Sequence, residues 1–346
     1  MDYVGYDSNV FLLAVSAVAM ARCLGLSLLR RKPIGVVAGA LGAVCMAWLT
    51  ATRPTFPVPD PAKASVLITG ASRGIGRAVA AAYADQGFLV FAGVRSEEDA
   101  ASVAETGRIV PLMLDVTKSE HITAAKERIL AEKDRKLVAV VANAGIISET
   151  RPTEMQDTTN FGKMIEVNYL GNVDLVGAFA PELRKNGGRI IATSSLLALV
   201  RMRGYTPYIA SKAALEGYLT GIRRDAMHMG TPISVSIMRP GLTDTDLART
   251  LGPGTLDGPA DIHSRLPKDD PAMKQFFESI QESARRELEI AKENVVPVAT
   301  VIPAYVHALT DPHPLAYYYT TLPHKIVTGI LHFIPDHVAD IILAQL

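Results

Sequence analysis

The sequence predicts an α/β protein in which helices cover both faces of a parallel β-sheet, the doubly wound architecture. Short apolar runs alternate along the chain with segments in which Ala, Leu and Ile recur at helical spacing. The apolar runs are continuous, as is typical of strands that are buried on both faces of a sheet. Strands that alternate with helices in this way predict a parallel sheet.

Six of these apolar runs are predicted strands, and each is followed by a segment with helical spacing. The predicted strands are residues 65–69, 88–94, 109–114, 137–141, 189–193 and 233–238. The predicted helices include residues 75–86, 120–133 and 211–229.

The N-terminal 52 residues differ from the rest of the chain in composition. Residues 8–29 are apolar apart from the single charge of Arg22, and residues 33–52 carry no charge. At a rise of about 1.5 Å per residue, about 20 apolar residues are long enough to cross a bilayer core. We therefore predict that residues 1–52 form a membrane anchor of one or two helices, although a signal-like first segment or a buried helix pair would give a similar pattern.

A proline-rich linker, residues 53–63, separates this anchor from a predicted domain over residues 64–346. Within that domain, residues 247–296 form a polar insertion with helical stretches, which predicts a lid over the functional site.

Composition excludes several classes of partner. The formal net charge is +0, from 35 basic and 35 acidic residues, whereas binding to phosphate backbones needs a clustered excess of Lys and Arg. Both cysteines, Cys23 and Cys45, lie in the apolar N-terminal region. The main domain can therefore form neither a disulfide nor a thiolate metal site, and we expect no nucleic acid and no metal ion as partners.

A glycine-rich turn joins the first predicted strand to the first predicted helix. Its glycines are Gly70, Gly74 and Gly76, and Ser72, Arg73 and Ile75 lie between them. Glycines at such a turn let backbone N–H groups approach a pyrophosphate at the helix N-terminus. The turn predicts a dinucleotide site, although an ordinary strand-to-helix turn is the simpler alternative for this motif alone.

The glycine spacing resembles the T-G-x-x-x-G-x-G loop of the classical type of the short-chain dehydrogenase/reductase family, and further motifs of that family follow in order. The matching residues are Asp115–Val116, Asn143–Ala144–Gly145, Asn168, Ser195, Tyr208, Lys212, Arg239–Pro240–Gly241, Thr243 and Thr245. Ser195 lies 13 positions before Tyr208, and Lys212 lies 4 after it, which are the family's spacings. The resemblance covers about residues 64–250 and implies a Rossmann fold.

The resemblance implies that Ser195, Tyr208 and Lys212 are catalytic and that Asn168 completes a tetrad. Tyr208 and Lys212 share one face of a helix, so a neighbouring ammonium is expected to favour the phenolate. Ser195 can hydrogen-bond the reacting oxygen while Tyr208 transfers the proton. Asn168 is explained equally well as a buried side chain that satisfies backbone groups, and the two roles are compatible.

The end of the second strand bears on the choice of cofactor. No acid follows the strand to hold ribose hydroxyls, and Arg95 and Arg73 are cations that suit a 2′-phosphate, although Glu97 and Glu98 lie nearby. We predict NADP(H) as the preferred cofactor, with NAD(H) as the alternative. The resemblance places Asp115, Val116, Asn143, Ala144, Gly145, Pro240, Gly241 and Thr243 around the same dinucleotide.

The substrate is predicted to be a lipophilic alcohol or ketone, because apolar side chains flank the catalytic motifs: Leu196, Leu197, Leu199 and Leu242. The tail, residues 315–346, resembles that of the retinol and hydroxysteroid dehydrogenase branch; its part from 322 onward is predicted as an amphipathic helix against the sheet edge or the membrane surface. A ketoacyl or ketosphinganine reductase, or a dinucleotide-binding scaffold without catalysis, are the alternatives. A homodimer and a location in the endoplasmic reticulum membrane complete the expectations.

Overall fold

The computed structural model describes residues 54–103, 107–147, 153, 158–249 and 295–321, with residues 271–272, 274–275, 278–279, 282, 286, 329–330, 334 and 338. The predicted anchor over residues 1–52, most of the predicted lid over residues 247–296 and most of the tail after 321 lie outside the described residues. Within the described part of the chain, no helix has both the length and the apolar character needed to cross a bilayer.

The core of the protein is one parallel sheet of seven strands in the order β3-β2-β1-β4-β5-β6-β7. The strands are β1 Ala64–Thr69, β2 Leu89–Val94, β3 Ile109–Met113, β4 Lys136–Ala142, β5 Arg189–Thr193, β6 Ser234–Arg239 and β7 Tyr317–Tyr319. Every neighbouring pair is parallel. The order reverses between β1 and β4, which leaves a crevice at the carboxyl ends of these strands, where ligands bind in doubly wound sheets.

Helices connect the strands on both faces. The helices are α1 Gly74–Asp85, α2 Glu97–Val103, α3 Ser119–Leu130, α4 Thr158–Ile165, α5 Gly171–Asn186, α6 Leu197–Val200, α7 Thr206–His228, α8 Asp246–Arg249 and α9 Ile302–Thr310. A π-turn, Glu166–Leu170, lies between α4 and α5, and two short 3₁₀ turns are Pro61–Lys63 and Val298–Thr300. Helix α7 begins five residues before its predicted start, because a proline in the first turn does not interrupt a helix.

Two apolar clusters fill the two faces of the sheet. On one face, Val79 and Tyr83 of α1 pack with Leu309 of α9 against the strands. On the other face, Phe179 of α5 and Leu219 of α7 pack together with apolar residues of α3. All six residues of β1 and of β6 are buried. The prediction of a sheet covered on both faces is therefore confirmed.

Residues 54–57, which we call the strap, lie against the amino-terminal edge of the sheet. Arg189, the first residue of β5, donates a hydrogen bond from Nη2 to the carbonyl of Pro57 at 2.8 Å. The Phe56 N–H donates to the carbonyl of Pro312 at 2.8 Å. Part of the predicted linker is thus hydrogen-bonded to the domain.

Strand β7 was not among the predicted strands, because its three residues were assigned to the tail. Tyr317 pairs with Ile237, and Tyr319 pairs with Arg239, in parallel register. A run of three residues has too short a periodicity to indicate a strand, and its pairing with β6 comes from tertiary structure.

Candidate active site

The motif residues meet at the carboxyl-terminal edge of the sheet. The glycine turn follows β1, Asn143 to Gly145 follow β4, and Ser195 follows β5. Pro240 and Gly241 follow β6, while Tyr208 and Lys212 lie in the first turns of α7. Because the carboxyl ends of parallel strands share one edge, residues up to 171 positions apart in sequence form one site.

The glycine turn requires glycine at the positions that the motif specifies. Gly70 and Gly74 have φ angles of 61° and 56°, in the left-handed region that disfavours other residues. A Cβ atom at Gly76 would lie 2.6 Å from Nδ2 of Asn143 and closer still to the Gly70 carbonyl. The turn therefore packs tightly on the end of β4 and directs the N-terminus of α1 toward the crevice.

A hydrogen-bond network behind this turn fixes the ends of three strands. Asn143 donates from Nδ2 to the carbonyl of Thr69 at 3.0 Å, and Thr193 donates from Oγ1 to Oδ1 of Asn143 at 2.9 Å. The Tyr305 hydroxyl lies 2.7 Å from the Thr193 hydroxyl. Since the only hydroxyl proton of Thr193 goes to Asn143, Tyr305 is the donor in this contact.

The three candidate catalytic side chains lie together. Tyr208 and Ser195 are joined by a side-chain hydrogen bond. Lys212 donates from Nζ to the Thr193 carbonyl at 2.8 Å, and this nitrogen lies 5.8 Å from the centre of the Tyr208 ring. All three side chains are buried or nearly so, with Tyr208 and Ser195 exposed by 7% and 8%. The structure brings the predicted set together, and its catalytic role stays a prediction.

Burial controls the protonation of this pair. It raises the pKa of Tyr208 to about 12, against the opposing effect of the hydrogen bond with Ser195. It lowers the pKa of Lys212 to about 8, against the opposing effect of the negative charge of Glu216. Burial and the hydrogen bond with Ser195 are the two influences on the pKa of Tyr208 in this structure, and the expectation that Lys212 favours the phenolate stays a prediction. At neutral pH, the phenol is protonated.

Asn168 lies on the π-turn and joins three segments around the site. Its Oδ1 accepts from the Ile146 N–H at 2.7 Å, and its Nδ2 donates to the Ile146 carbonyl at 2.8 Å and to the Ser211 hydroxyl at 3.0 Å. A Cβ atom at Gly145 would lie 3.2 Å from Lys212 Nζ and 3.3 Å from Oδ1 of Asn168. Asn168 therefore satisfies backbone groups, which is one of the two roles that the sequence left open. Its role in a catalytic tetrad stays a prediction.

Asp115 and Val116 form the turn after β3. The Thr117 N–H and hydroxyl donate to Oδ1 of Asp115 at 3.0 and 2.8 Å. Burial raises the pKa of Asp115, but these bonds and the charge of Arg95, together with a neighbouring lysine, hold it below its usual value. Val116 is buried, and its carbonyl packs against the start of α5 at Gly171. Both side chains shape this turn, and a contact with a dinucleotide stays a prediction.

The two candidate cations for a 2′-phosphate lie near each other in the fold. Thr69 of β1 pairs with Gly93 of β2, so Arg73 and Arg95 follow adjacent strand ends. Both side chains are exposed. The acids Glu97 and Glu98 begin α2 and are also exposed, so the local charge is mixed.

The segment after β6 closes the site beside Ser195. The Leu196 N–H donates to the Pro240 carbonyl at 3.0 Å, and the Gly241 N–H donates to the Thr320 hydroxyl at 3.3 Å. The Thr243 hydroxyl donates to the Gly241 carbonyl at 3.0 Å. This turn is therefore hydrogen-bonded both to the loop that carries Ser195 and to Thr320 after β7.

The predicted apolar lining is partly open to solvent. Leu196, Leu197 and Leu242 are half-buried, and Leu199 is 36% exposed. These four residues lie outside the two buried apolar clusters, and their role in lining a substrate site stays a prediction.

Sequence reasoning missed a buried ion pair next to this site. Glu216 accepts from Arg239 Nε at 3.0 Å and from Nη2 at 2.6 Å, and it also accepts from the Ser194 hydroxyl at 2.7 Å. Burial lowers the pKa of Arg239, but the carboxylate of Glu216 raises it above its usual value. A signal was available, since Glu216 lies one helical turn after Lys212.

The chain matches known proteins over the same region. A family model described as short chain dehydrogenase matches residues 64–255. Estradiol 17-beta-dehydrogenase 2 of Mus musculus is 28% identical over 295 residues, which cover 81% of this chain and 74% of that protein. The 17-beta-hydroxysteroid dehydrogenase type 2 of Homo sapiens is 27% identical over 338 residues, which cover 93% of this chain and 83% of that protein.

Solved structures share the fold. A short chain dehydrogenase from Burkholderia cenocepacia in complex with NADP gives a TM-score of 0.60 at 24% identity and covers 82% of this chain and 99% of its own. One from Burkholderia phymatum in complex with NAD gives 0.63 at 20% identity, with 83% and 97% covered. The family resemblance deduced from the motifs is confirmed. The chain therefore belongs to the short-chain dehydrogenase family of oxidoreductases and is similar to its hydroxysteroid branch.

Proposed function

We propose that the protein interconverts a hydroxyl and a carbonyl group on a lipophilic substrate of the steroid or retinoid type, by hydride transfer with NADP(H). The observation that carries this proposal is the convergence of Ser195, Tyr208 and Lys212 in one buried site at the carboxyl edge of the sheet. Each of these residues alone has an ordinary structural explanation, whereas their joint geometry suits proton transfer to an oxygen.

The residues around the crevice fit a dinucleotide. The glycines of the turn carry no side chains, so backbone N–H groups at the N-terminus of α1 can approach a pyrophosphate. Asn143 to Gly145 and Pro240 to Thr243 would flank the rest of the cofactor. When bound, the nicotinamide supplies or accepts the hydride.

The side chains of the chain itself supply the proton chemistry. Ser195 and Tyr208 can both hydrogen-bond the oxygen of a carbonyl substrate. With its pKa raised to about 12, Tyr208 is a neutral phenol at pH 7 and can donate its proton to that oxygen. Lys212 uses one N–H on the Thr193 carbonyl, which leaves two N–H groups to orient other partners.

The preference for NADP(H) is supported by Arg73 and Arg95 at adjacent strand ends. A planar guanidinium binds a phosphate with two parallel hydrogen bonds, and the exposed side chains can reach a ligand at the crevice. Solved relatives are described in complex with NADP and with NAD, so NAD(H) is the second candidate.

The substrate class is supported by the half-exposed leucines beside Ser195 and by relatives named for estradiol and 17-beta-hydroxysteroids. The test is turnover of the purified full chain on estradiol, retinol and 3-ketosphinganine, each with both cofactor pairs. We expect the highest kcat/KM on the steroid or the retinoid with the NADP(H) pair. Highest turnover on the 3-keto lipid would replace this substrate class, and cofactor binding without any turnover would indicate a scaffold.

We also propose that residues 1–52 anchor the protein in the endoplasmic reticulum membrane. The two apolar segments and the absence of charge over residues 33–52 support this proposal. The measurement is membrane flotation of the full chain after an alkaline carbonate wash, together with fractionation against a reticulum marker. Protein that washes off the membrane would contradict the anchor, and flotation with another organelle's marker would contradict the location.

A further inference from the structure

The Glu216–Arg239 pair is buried at a position where three functional segments meet. Glu216 and Arg239 are only 8% and 7% exposed, and Ser194 is 1% exposed. Glu216 lies on the helix that carries Tyr208 and Lys212, Ser194 directly precedes Ser195, and Arg239 directly precedes Pro240. A single carboxylate thus contacts the residue that precedes Ser195 and the residue that precedes the turn after β6.

Backbone hydrogen bonds join the same two segments on either side of the carboxylate. The Ser194 N–H donates to the Met238 carbonyl at 2.8 Å, and the Leu196 N–H donates to the Pro240 carbonyl at 3.0 Å. Glu216 bonds to Ser194, which is also the first of these backbone donors, and to Arg239, which lies between Met238 and Pro240. Two backbone bonds and one carboxylate therefore hold the loop of Ser195 against the turn after β6.

Aromatic side chains of β7 hold the guanidinium from the other side. Arg239 lies 4.0 Å from the centre of the Tyr317 ring and donates from Nη1 to the Tyr319 hydroxyl at 2.7 Å. The Arg239 side chain has little freedom left, because its nitrogens have fixed partners and one face is covered. Arg239 therefore offers Glu216 a partner in a fixed position.

Stability does not explain why an ion pair occupies this position. The desolvation of two buried charges offsets most of their attraction, so an apolar pair of similar volume is often as stable or more stable. A charged pair keeps its value where direction matters, because a carboxylate holds several donors at fixed angles. Here those donors belong to the segments that bracket the candidate reaction centre.

We propose that Glu216 is a positioning residue for hydride transfer, which holds Ser195 and the Pro240–Gly241 turn in register through its bonds to Ser194 and Arg239. The inference rests on the proposed function, since these two segments would lie on either side of the reacting carbonyl and the nicotinamide. Glu216 does not contact substrate or cofactor in this role. It acts through Ser194 and Arg239.

The test compares four variants of the full chain. Glu216→Gln removes the charge, and Ser194→Ala removes one hydroxyl with little risk to folding. Glu216→Leu combined with Arg239→Met replaces both charges by apolar groups. The matched control is Tyr317→Phe, which keeps the ring under Arg239 and removes only a hydroxyl that contacts Thr220 and Arg223.

Each variant is measured for thermal unfolding and for its affinity for NADPH, and the fluorescence emission of the bound nicotinamide is recorded. The single-turnover rate is measured with estrone, the 17-ketone of estradiol. We expect Glu216→Gln to slow hydride transfer by about 10- to 100-fold, since small misplacements of reacting groups cost that much. NADPH affinity should stay close to wild type, because the phosphate end of the site is untouched. Ser194→Ala should show a smaller loss of rate, and the control should match wild type.

The double variant separates positioning from stability. We expect it to unfold near the wild-type temperature but to remain slow. A double variant with the wild-type rate would overturn the proposal, and so would a Glu216→Gln rate equal to the control. If the wild type binds NADPH but does not reduce estrone, the proposed function fails. The emission of the bound nicotinamide then tests the positioning role of Glu216 by itself. Weaker emission in Glu216→Gln than in the control supports that role, and equal emission overturns it.

Discussion

Burial raises the pKa of Tyr208 and lowers the pKa of Lys212, because in each case it favours the neutral form of the side chain. With a pKa of about 12, the Tyr208 phenol keeps its proton at neutral pH. With a pKa of about 8, Lys212 loses its proton as the pH rises through that value. Between neutrality and pH 8 the pair consists of a proton donor and a cation. This is the combination that reduction of a carbonyl needs.

Replacement of Tyr208 by Phe tests the proton donor. We expect Tyr208→Phe to bind NADPH as wild type does, because the ring and its packing remain. Turnover should fall by about 10²- to 10⁴-fold, the usual contribution of a positioned acid or base. Cofactor titration and steady-state kinetics measure the two effects, and near-normal turnover would exclude Tyr208 as the donor.

The pH dependence of reduction tests Lys212. A base whose pKa is depressed is charged below that value and neutral above it, so Lys212 is a cation below about pH 8. If the cation is needed to orient its partners, kcat should fall as the pH rises through about 8. A pH profile of kcat from 6 to 10 measures this. A rate that stays level up to pH 10 would show that the protonated lysine is not required.

Replacement of Arg95 by Ala tests the choice of cofactor. The guanidinium can contribute only where a 2′-phosphate is present, so Arg95→Ala should weaken NADPH binding and leave NADH binding unchanged. The loss of a charge-assisted hydrogen bond corresponds to about a tenfold rise in Kd. Titration with both cofactors measures this, with Arg73→Ala alongside. Equal losses for both cofactors would assign Arg95 a structural role.

At the scale of elements, the sequence predicts the parts whose signal is local. Each of the six predicted strands is found within one or two residues of its expected bounds, because strands buried on both faces are continuous apolar runs. Strand β7 could not be predicted, because its extended conformation depends on pairing with β6. It also depends on Arg239, which packs on the ring of Tyr317. The start of α7 was placed late because the residues before Ser211 carry little apolar periodicity.

The same distinction applies to the site. The motif residues could be named from the resemblance to the short-chain dehydrogenase family, because that family's motifs occur in this sequence in the same order and at the same spacing. Tyr305 could not, because it lies 112 residues from Thr193 and reaches it only through the packing of α9 on the sheet. Glu216 had a local signal in its spacing from Lys212, but its partner Arg239 becomes apparent only in the fold.

Helix α9 gives a prediction of its own through the Tyr305 hydroxyl. Tyr305→Phe removes the donor to Thr193 and loosens the network that ends at Asn143. We expect about 1 kcal/mol less stability and a weaker affinity for NADPH with kcat little changed. Thermal unfolding and cofactor titration measure these effects.

The matched control for this helix is Tyr83→Phe. The Tyr83 hydroxyl donates to the Tyr305 carbonyl at 2.8 Å in the same buried cluster, and this bond does not involve Thr193 or Asn143. The control should lose similar stability and keep its affinity for NADPH. The same loss of affinity in both variants would show that stability alone is responsible.

At the scale of the whole molecule, the strap determines where the folded domain can be cut. A chain that begins at Asp60 lacks Pro57, so Nη2 of the buried Arg189 loses its acceptor. We expect this chain to be less stable than one that begins at Pro54 by about 1–3 kcal/mol, the cost of an unsatisfied buried donor. Both should bind cofactor and turn over substrate when folded, because no motif residue lies before Thr69.

Chemical denaturation of the two chains and of their Arg189→Met variants checks this expectation. The difference in the free energy of unfolding between the chain that begins at Pro54 and the chain that begins at Asp60 should be smaller in the Arg189→Met variants. An equal difference with and without Arg189 would assign the effect to the other contacts of the strap, such as the bond from Phe56 to Pro312.

The strap lies at the end of the sheet opposite to the candidate active site. It meets β5 at its first residue, whereas Ser195 follows the last, and a strand of this length spans about 17 Å. Protein immobilised through a group placed before Pro54 would keep its crevice open to solution. Immobilisation through the chain that leaves β7 would crowd the crevice, because Thr320 is hydrogen-bonded to Gly241 at its rim.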